Sequence, residues 1–507
     1  MIVHLMGDRA LLLECAPDDV LGYAAAVRGA ADRGELRGIV DIVPAAATVL
    51  VKVAVDAREY VTALTRLTPA DGALLETGHV DIDAVYDGED LDAVAAETGL
   101  AYDDIVGLHA AATYRVGFCG FAPGFAYLTG LDERLAVPRL PSPRTRVPAG
   151  SVAIAAGYTA VYPRESPGGW RLIGRTHAVM FDPLRSPAAL LSPGSTVRFR
   201  PVAEIPAVVA TARATGDPVG APALRILRPG ALALVQDGGR PGLGAIAVGA
   251  SGAFDRGAHR LANRLVGNPE DSAALELLGG GAVVQALRDC DVAITGAEGP
   301  VSVNGVAQAR NAPLRLHDGD LVEIASPQAG LRAYVALRGG VEGSRTLGSQ
   351  STDSLSGLGP PPLTEGDVVR IGSPAPMPGV DLAPRPALPT EVEVRVVRGP
   401  RWAWFDPSAH RELMSSPYVV SPRSDRIGVR LEGPPLLRDA AYRDRELAPE
   451  GMVRGALQVP PDGLPVLLGP DHPVTGGYPV IAVIVDADLD AVAQAPPGTP
   501  VRFRTVG

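Results

Sequence analysis

Residues 117–176 read GFCGFAPGFAYLTGLDERLAVPRLPSPRTRVPAGSVAIAAGYTAVYPRESPGGWRLIGRT. Gly, Pro and Arg crowd this stretch, yet short apolar pieces such as Ser151-Val-Ala-Ile-Ala and the run 159–162 recur between the turns. Short strands separated by Gly and Pro loops are the pattern of a small β-barrel or sandwich. In such loops Gly lets the backbone approach a ligand and Pro stiffens the chain. Arg supplies forked donors for carboxylate or phosphate.

Upstream, residues 1–85 read as a small α+β unit. Strand-like pieces lie at 2–5, 38–42 and 48–53, with helical stretches at 18–33 and 57–66, which suggests a β-α-β-β-α-β order. A helical pattern follows over 90–112 and then gives way to the β-rich stretch, so 86–211 is expected to form a barrel. The best linker is 212–222, ARATGDPVGAP, and a weaker Pro- and Ala-rich seam covers 374–390. Between and after them the chain reads as two further barrels, 223–374 and 390–507, with helices expected only near 257–265 and 272–278. The predicted class is therefore mainly β: a ferredoxin-like N-terminal domain and three barrels.

An internal repeat supports this division. Ser142-Pro-Arg-Thr-Arg-Val is echoed by Ser421-Pro-Arg-Ser-Asp-Arg-Ile, and Gly150-Ser-Val-Ala-Ile by Gly455-Ala-Leu-Gln-Val. Gly168-Gly-Trp is echoed by Gly476-Gly-Tyr, and Pro193-Gly-Ser-Thr-Val-Arg-Phe by Pro497-Gly-Thr-Pro-Val-Arg-Phe. Four motifs in one order point to two diverged copies of one barrel.

Composition narrows the function. The chain has 507 residues, enough for about three or four domains of ~100–200 residues. Its net charge of −11 argues against nucleic acid or an anionic membrane as partner. Of 46 basic residues only Lys52 is lysine, so phosphate chemistry falls to Arg, backbone N–H groups or a metal. Cys15, Cys119 and Cys290 are scattered, which argues against a disulfide framework or a zinc site, and Cys119 reads as a buried apolar residue. Without a signal-peptide pattern or a long apolar run, a soluble cytoplasmic protein is expected. The P-loop, H-E-x-x-H, C-x-x-C and G-x-S-x-G motifs do not occur, so catalysis would rest on dispersed carboxylates, Arg, Tyr and backbone donors.

Several constellations could carry such chemistry. Arg144 and Arg146 lie in a Pro-bounded loop, as surface charges or as an anion fork. The Ser166-Pro-Gly-Gly-Trp170 turn either simply buries Trp170 or forms an anion nest walled by it. His109, near a helix end, is a packing residue or a base. In Gln236-Asp-Gly-Gly-Arg240, Asp237 and Arg240 pair with each other or face a ligand. Asp255 precedes a helix and suits an N-cap, while Glu276 on the next helix would orient a Gly-rich loop. Ser424-Asp-Arg426 and Asp471-His-Pro-Val-Thr-Gly-Gly-Tyr478 combine carboxylate, guanidinium and hydroxyl in a second candidate ligand surface.

These residues resemble the KipI–KipA family, also described as the B and C subunits of bacterial ATP-dependent 5-oxoprolinase. Related domains occur in urea carboxylase and urea amidolyase, and many members are labelled allophanate hydrolase subunits. The first half is similar to the B (KipI-like) subunit through His109, Gly117-Phe-Cys-Gly-Phe-Ala-Pro-Gly-Phe-Ala-Tyr-Leu128, Gly150-Ser-Val-Ala-Ile154 and Ser166-Pro-Gly-Gly-Trp170. The second half is similar to the C (KipA-like) subunit through Gln236-Asp-Gly-Gly-Arg240, Ser251-Gly-Ala-Phe-Asp255, Ala262-Asn-Arg-Leu-Val-Gly-Asn268, Ser424-Asp-Arg426 and Thr475-Gly-Gly-Tyr-Pro479. One loop departs from the family's Asp-x-Gln-Thr-Thr-Gly-Gly-Tyr-Pro: here it reads Asp471-His-Pro-Val-Thr-Gly-Gly-Tyr-Pro479. Biotin-carrier, ATP-grasp and amidase patterns are missing, which leaves the allophanate label little support.

The resemblance implies cyclophilin-like barrels and an ATP- and Mg²⁺-dependent opening of 5-oxo-L-proline to L-glutamate. In that reaction the fused B–C chain activates the lactam, by phosphorylation of its amide oxygen, for a separate A subunit (LamB/YcsF-like). Candidate catalytic residues are Asp237, Asp255, Asp425 and His109. Candidate substrate or nucleotide ligands are Arg144, Arg146, Tyr158, Ser166, Gly168, Gly169, Trp170, Arg240, Arg426, Gln458, Thr475 and Tyr478, with no metal-ligand set. Arg144→Ala and Arg426→Ala are expected to abolish turnover and spare the fold. Two other functions compete: a KipI/KipA-type regulator of a histidine kinase, and a non-catalytic binding module for a small carboxylate or amide. Fusing an inhibitor to its antagonist would defeat their independent control, which favours the enzyme. Self-association is left open, and a ligand cleft between the halves is preferred to a pocket inside the first barrel.

Overall fold

The computed structural model describes residues 1–71, 78–205, 220–374, 376, 379, 382–384 and 387–506. At the N-terminus an antiparallel sheet places its strands in the order Ile2–Leu5, Ala10–Glu14, Thr48–Val53, Ile39–Pro44. The central pair is buried on both faces, so each reads as an unbroken apolar run (ALLLE, TVLVKV). Side chains alternate across the sheet. Leu11, Leu13, Val49 and Val51 meet Val20, Tyr23 and Val27 of the helix Val20–Asp32. Ala10, Leu12 and Leu50 meet Met452, Val453 and Leu468 from the other end of the chain.

The chain order in this unit is β-β-α-β-β-α, not the expected β-α-β-β-α-β. Moving Ile2–Leu5 to the end of the unit would restore the expected order with every strand neighbour unchanged. The departure arises because Ala10–Glu14 follows its hairpin partner closely, so the sequence shows one apolar stretch where there are two strands.

Residues 79–201 form a seven-stranded, nearly closed sheet around Tyr114, Leu128, Ile154 and Phe199, flanked by the helices Leu91–Thr98 and Tyr102–Ala111. Residues 221–371 form sheets of seven and five strands, and residues 392–505 a closed seven-stranded barrel. The fold is thus mainly β, as expected. The repeat also has a structural counterpart. The last strand of the first barrel, Thr196–Pro201, runs parallel to His79–Ala84, and the last strand of the third, Pro500–Thr505, runs parallel to Val392–Arg398.

The helix expected at 257–265 is present as Arg256–Leu265, but the one expected at 272–278 is the strand Ala274–Leu278. Its AALELL composition favours a helix. The segment instead lies between Leu232–Gln236 and Ala329–Leu337, where burial on both faces overrides propensity. A further helix, Pro407–Ser415, is not among those expected, although Asp406 caps it by accepting from Ser408 N and Pro occupies its first turn. The linker expected at 212–222 lies outside the described residues as far as 219, and the strand Ala221–Arg228 already includes its end. Several residues of the seam at 374–390 also lie outside them. Among the described residues no helix is long and apolar enough to cross a membrane.

Candidate functional site

The Gly-rich turns of the second half are fastened by buried polar groups. Asp237 does not pair with Arg240. Its carboxylate accepts from Ser349 Oγ at 2.6 Å, Ser351 Oγ at 2.5 Å, and the N–H groups of Gly239 and Gln350, both at 2.7 Å. Arg240 donates to the carbonyls of Ser351 and Thr346, so both residues hold one loop, 346–351, from two sides. Asp255 caps its helix by accepting from Ala258 N at 2.7 Å and also accepts from Gln494 Nε2 at 2.7 Å.

Arg426 is the centre of the interface between the middle unit and the third barrel. Its Nε and Nη2 clamp Asp471 at 2.9 and 3.0 Å, Nη1 reaches Glu276, and Nη2 also donates to Gly252 O at 2.7 Å. Glu276 accepts from Phe254 N at 2.9 Å and Tyr334 Oη at 2.8 Å. Asp471 accepts from Ser251 Oγ and Ser354 Oγ, each at 2.7 Å. Burial alone would raise both carboxyls, but the Arg426 guanidinium holds them below their usual range. Burial opposes the charge on Arg426 as well, and Glu276 and Asp471 outweigh it and raise its pKa. Arg426 is therefore a structural clamp, and the expectation that Arg426→Ala spares the fold is corrected: it would strand two buried carboxylates. Asp425 accepts from the N–H groups of Ile427 and Gly428 beside a cavity of about 260 Å³.

In the first barrel, His109 is fully buried, bonded to Tyr86 Oη at 2.7 Å and Thr159 Oγ1 at 2.9 Å, and burial pushes its pKa down to about 3. Arg144 pairs with Asp90 and Glu89, each at 2.7 Å, and the exposed Arg146 with Glu165 at 2.6 Å. Ser166–Gly168 is a strand paired with Arg144–Val147, and the Gly169 carbonyl accepts from Leu140 N at 2.7 Å. Trp170 is buried edge-on against Phe125 and Tyr127. Tyr158 borders a separate cavity of about 510 Å³ against the N-terminal unit. Cys119 is buried, and burial pushes its thiol up to about 12.

The halves meet along an extended junction, and two places on it enclose open space. At the first, Gly120 of the GFAPGF loop lies so close to Thr475 that a Cβ there would overlap Thr475 Oγ1. A small recess beside it is lined by Phe121, Arg164, Asp353 and His472. Burial, then Asp471, raises the carboxyl of Asp353. Gln458 Nε2 contacts Met452 Sδ at 3.2 Å and the Tyr478 carbonyl at 3.3 Å, and the Tyr478 side chain is exposed.

The second meeting place is a cavity of about 680 Å³ between the N-terminal sheet, the middle unit and the third barrel. Of the named candidate catalytic and ligand residues, Asp237 alone lines it. Lys52 and Arg454, which sequence reasoning leaves out of the site, also line it, as does His472 of the Asp471–Tyr478 candidate loop, whose own role sequence reasoning does not assign. One signal is available, since Lys52 is the sole lysine. His472 borders both the recess and the cavity. Burial holds Lys52 below the usual lysine range against the pull of Asp41, its cross-strand neighbour. Burial, reinforced by Arg256, pushes Arg454 down to about 9. The cavity thus combines desolvated cations with a neutral imidazole, a set suited to oxyanions and amides.

Barrels of this topology joined at such a junction define a class, and comparison with known proteins names it. Residues 246–505 match the family described as carboxyltransferase domain, subdomain A and B, and residues 1–191 match carboxyltransferase domain, subdomain C and D. The chain belongs to this family. It is 36% identical over 285 residues to the 5-oxoprolinase C subunit of Escherichia coli (strain K12), covering 55% of this chain and 90% of that protein. It is 40% identical over 212 residues to the 5-oxoprolinase B subunit of Escherichia coli O157:H7, covering 40% of this chain and 96% of that one. The crystal structure of TTHA0988 superposes with a TM-score of 0.87 at 34% identity, covering 98% of this chain and 99% of that chain. The two halves are thus homologous to the B and C subunits of 5-oxoprolinase, as the motifs implied.

Proposed function

We propose that this chain is the fused B–C component of an ATP-dependent 5-oxoprolinase, activating 5-oxo-L-proline for ring opening to L-glutamate by a separate A subunit. The observation that carries this reading is the cavity of about 680 Å³ at the junction of the B-like and C-like halves, with walls from both. Its donor set fits an oxyanion. Arg454 keeps Nε and Nη1 buried without a partner, and the Lys52 ammonium has no hydrogen-bond or ion-pair partner among the described residues. Arg9, Arg256 and Arg260, all on the cavity wall, would hold the phosphates of ATP. When bound, ATP supplies the phosphoryl group that makes the amide oxygen a leaving group. The chain's own part is to hold the two reactants together away from water and to offset the phosphate charge with fixed cations.

Among the described residues no three His, Cys, Asp or Glu side chains cluster to hold a metal ion. Any Mg²⁺ would then be held chiefly by the phosphates and water. The test is glutamate release and ATP hydrolysis on 5-oxo-L-proline, with and without an A subunit. Turnover should require both proteins, and no activity beyond that of the A subunit alone would overturn the reading.

A further inference from the structure

Of the acids on the wall of the junction cavity, Asp271 is exposed and the others are already engaged. Asp41 accepts from the N–H groups of Ile42 and Gly244, Asp237 from the four groups above, and Asp8 from Asp486 N at 2.9 Å. Glu270 pairs with Arg264 at 3.2 Å, and Asp486 with Arg256 at 3.4 Å. Lys52 and Arg454 differ. Lys52 faces Asp41 across the sheet, yet that carboxylate is taken by backbone N–H groups and no ion pair forms. Among the described residues Arg454 donates to the Phe254 carbonyl alone, at 2.6 Å, leaving two nitrogens without hydrogen-bond partners. Cationic nitrogens that line a cavity without hydrogen-bond partners call for an anionic or strongly polar ligand.

His472 completes the set. Its Nδ1 contacts the Pro473 carbonyl at 2.8 Å, and a carbonyl only accepts, so the proton sits on Nδ1. Burial keeps the imidazole neutral, its pKa pushed down to about 3, with Lys52 and Arg454 both adding to the shift. Nε2 is therefore a bare lone pair, and both cations lie near enough to act on it. A donor and an acceptor on the wall of one cavity complement a lactam, which presents an accepting C=O and a donating N–H on one edge.

We propose that Lys52, His472 and Arg454 form a three-point subsite for a cyclic amide bearing a carboxylate. Lys52 Nζ donates to the lactam oxygen, His472 Nε2 accepts from the lactam N–H, and Arg454 faces the carboxylate. This rests on the proposed function only in naming 5-oxo-L-proline as that compound. Three points of contact also select one enantiomer.

Because Lys52 is the sole lysine, the test needs no substitution. Cyanate carbamylates unprotonated amines, so in the full chain it reports on Lys52, with the N-terminal amine as internal control, read by peptide mass spectrometry. Saturating 5-oxo-L-proline should slow Lys52 carbamylation about 10-fold or more and leave the N-terminus unchanged. The D-enantiomer and cyclopentanecarboxylate should protect far less. In calorimetric titrations, Lys52→Met should weaken 5-oxo-L-proline and 2-pyrrolidinone alike by about 10-fold, and Arg454→Met only the former. If 5-oxo-L-proline binds by calorimetry yet leaves Lys52 carbamylation unchanged, the subsite is overturned and the proposed function stands. If 5-oxo-L-proline neither binds nor turns over with an A subunit, both fail.

Discussion

Arg426 shows how a single residue can look like a ligand in sequence and act as a clamp in the fold. Its motif neighbours, Ser424 and Asp425, suggest a binding surface, but its guanidinium spans Glu276 and Asp471 with all three side chains nearly inaccessible. Arg426→Ala is expected to cost about 3–5 kcal/mol in urea unfolding, because it strands two buried carboxylates. Adding Asp471→Asn should recover part of that loss by removing one unpaired charge, a non-additivity that a double-mutant cycle would measure. At the other extreme, Arg146 pairs with Glu165 in the open, and Arg146→Ala is expected to shift stability by less than about 0.5 kcal/mol.

At the level of elements, the buried histidines give the chain an acid sensitivity. His109 joins the helix Tyr102–Ala111 to Tyr86 and to Thr159 on the strand Tyr158–Val161, and His472 sits in the loop ahead of the short strand Thr475–Gly476. Both have pKa values lowered to about 3, below the unfolded value near ~6.5. The unfolded chain therefore binds these protons first as pH falls. Their stabilisation is complete above about pH 6.5 and declines below it, by up to ~1.4 kcal/mol per pH unit for each histidine. Urea midpoints taken between about pH 6.5 and 5 should fall, and His109→Gln should remove one share of that slope. The GFAPGF loop makes a separate prediction. Gly120→Ala places a methyl against Thr475, so turnover with an A subunit should drop while the isolated first barrel's helices remain, as read by circular dichroism.

For the whole molecule, the N-terminal sheet is the bridge. One face packs on its own helices and the other on the third barrel, with Arg401 held by Glu14 and Glu450 at the edge. This double burial places strand Thr48–Val53, and with it Lys52, on the wall of a cavity that the second half completes. Residues 1–205 and 220–507 expressed as separate chains are expected to co-elute on size exclusion. Gly451→Val should weaken that association by about 1–3 kcal/mol, because a Cβ at Gly451 would lie 2.5 Å from Leu50 Cβ.

Much of this was legible in the chain itself. The mainly β class, the kinship of 150–154 with 455–459 and the family motifs rest on local patterns of apolar alternation, Gly turns and short runs, which a sequence displays directly. The strand Ala274–Leu278 reads wrongly as a helix because its residues favour one and only its place between two other strands makes it extended. The candidate site was the least legible part. Asp237 and Arg240 lie three positions apart in sequence and do not pair, whereas Lys52 and His472 come from opposite ends of the chain and share one cavity. Sequence alone determined which chemical groups this protein owns and the barrels that carry them. Only the tertiary structure decided which charges are neutralised and which are left facing a cavity, because desolvation and pairing depend on neighbours that the fold brings from far along the chain.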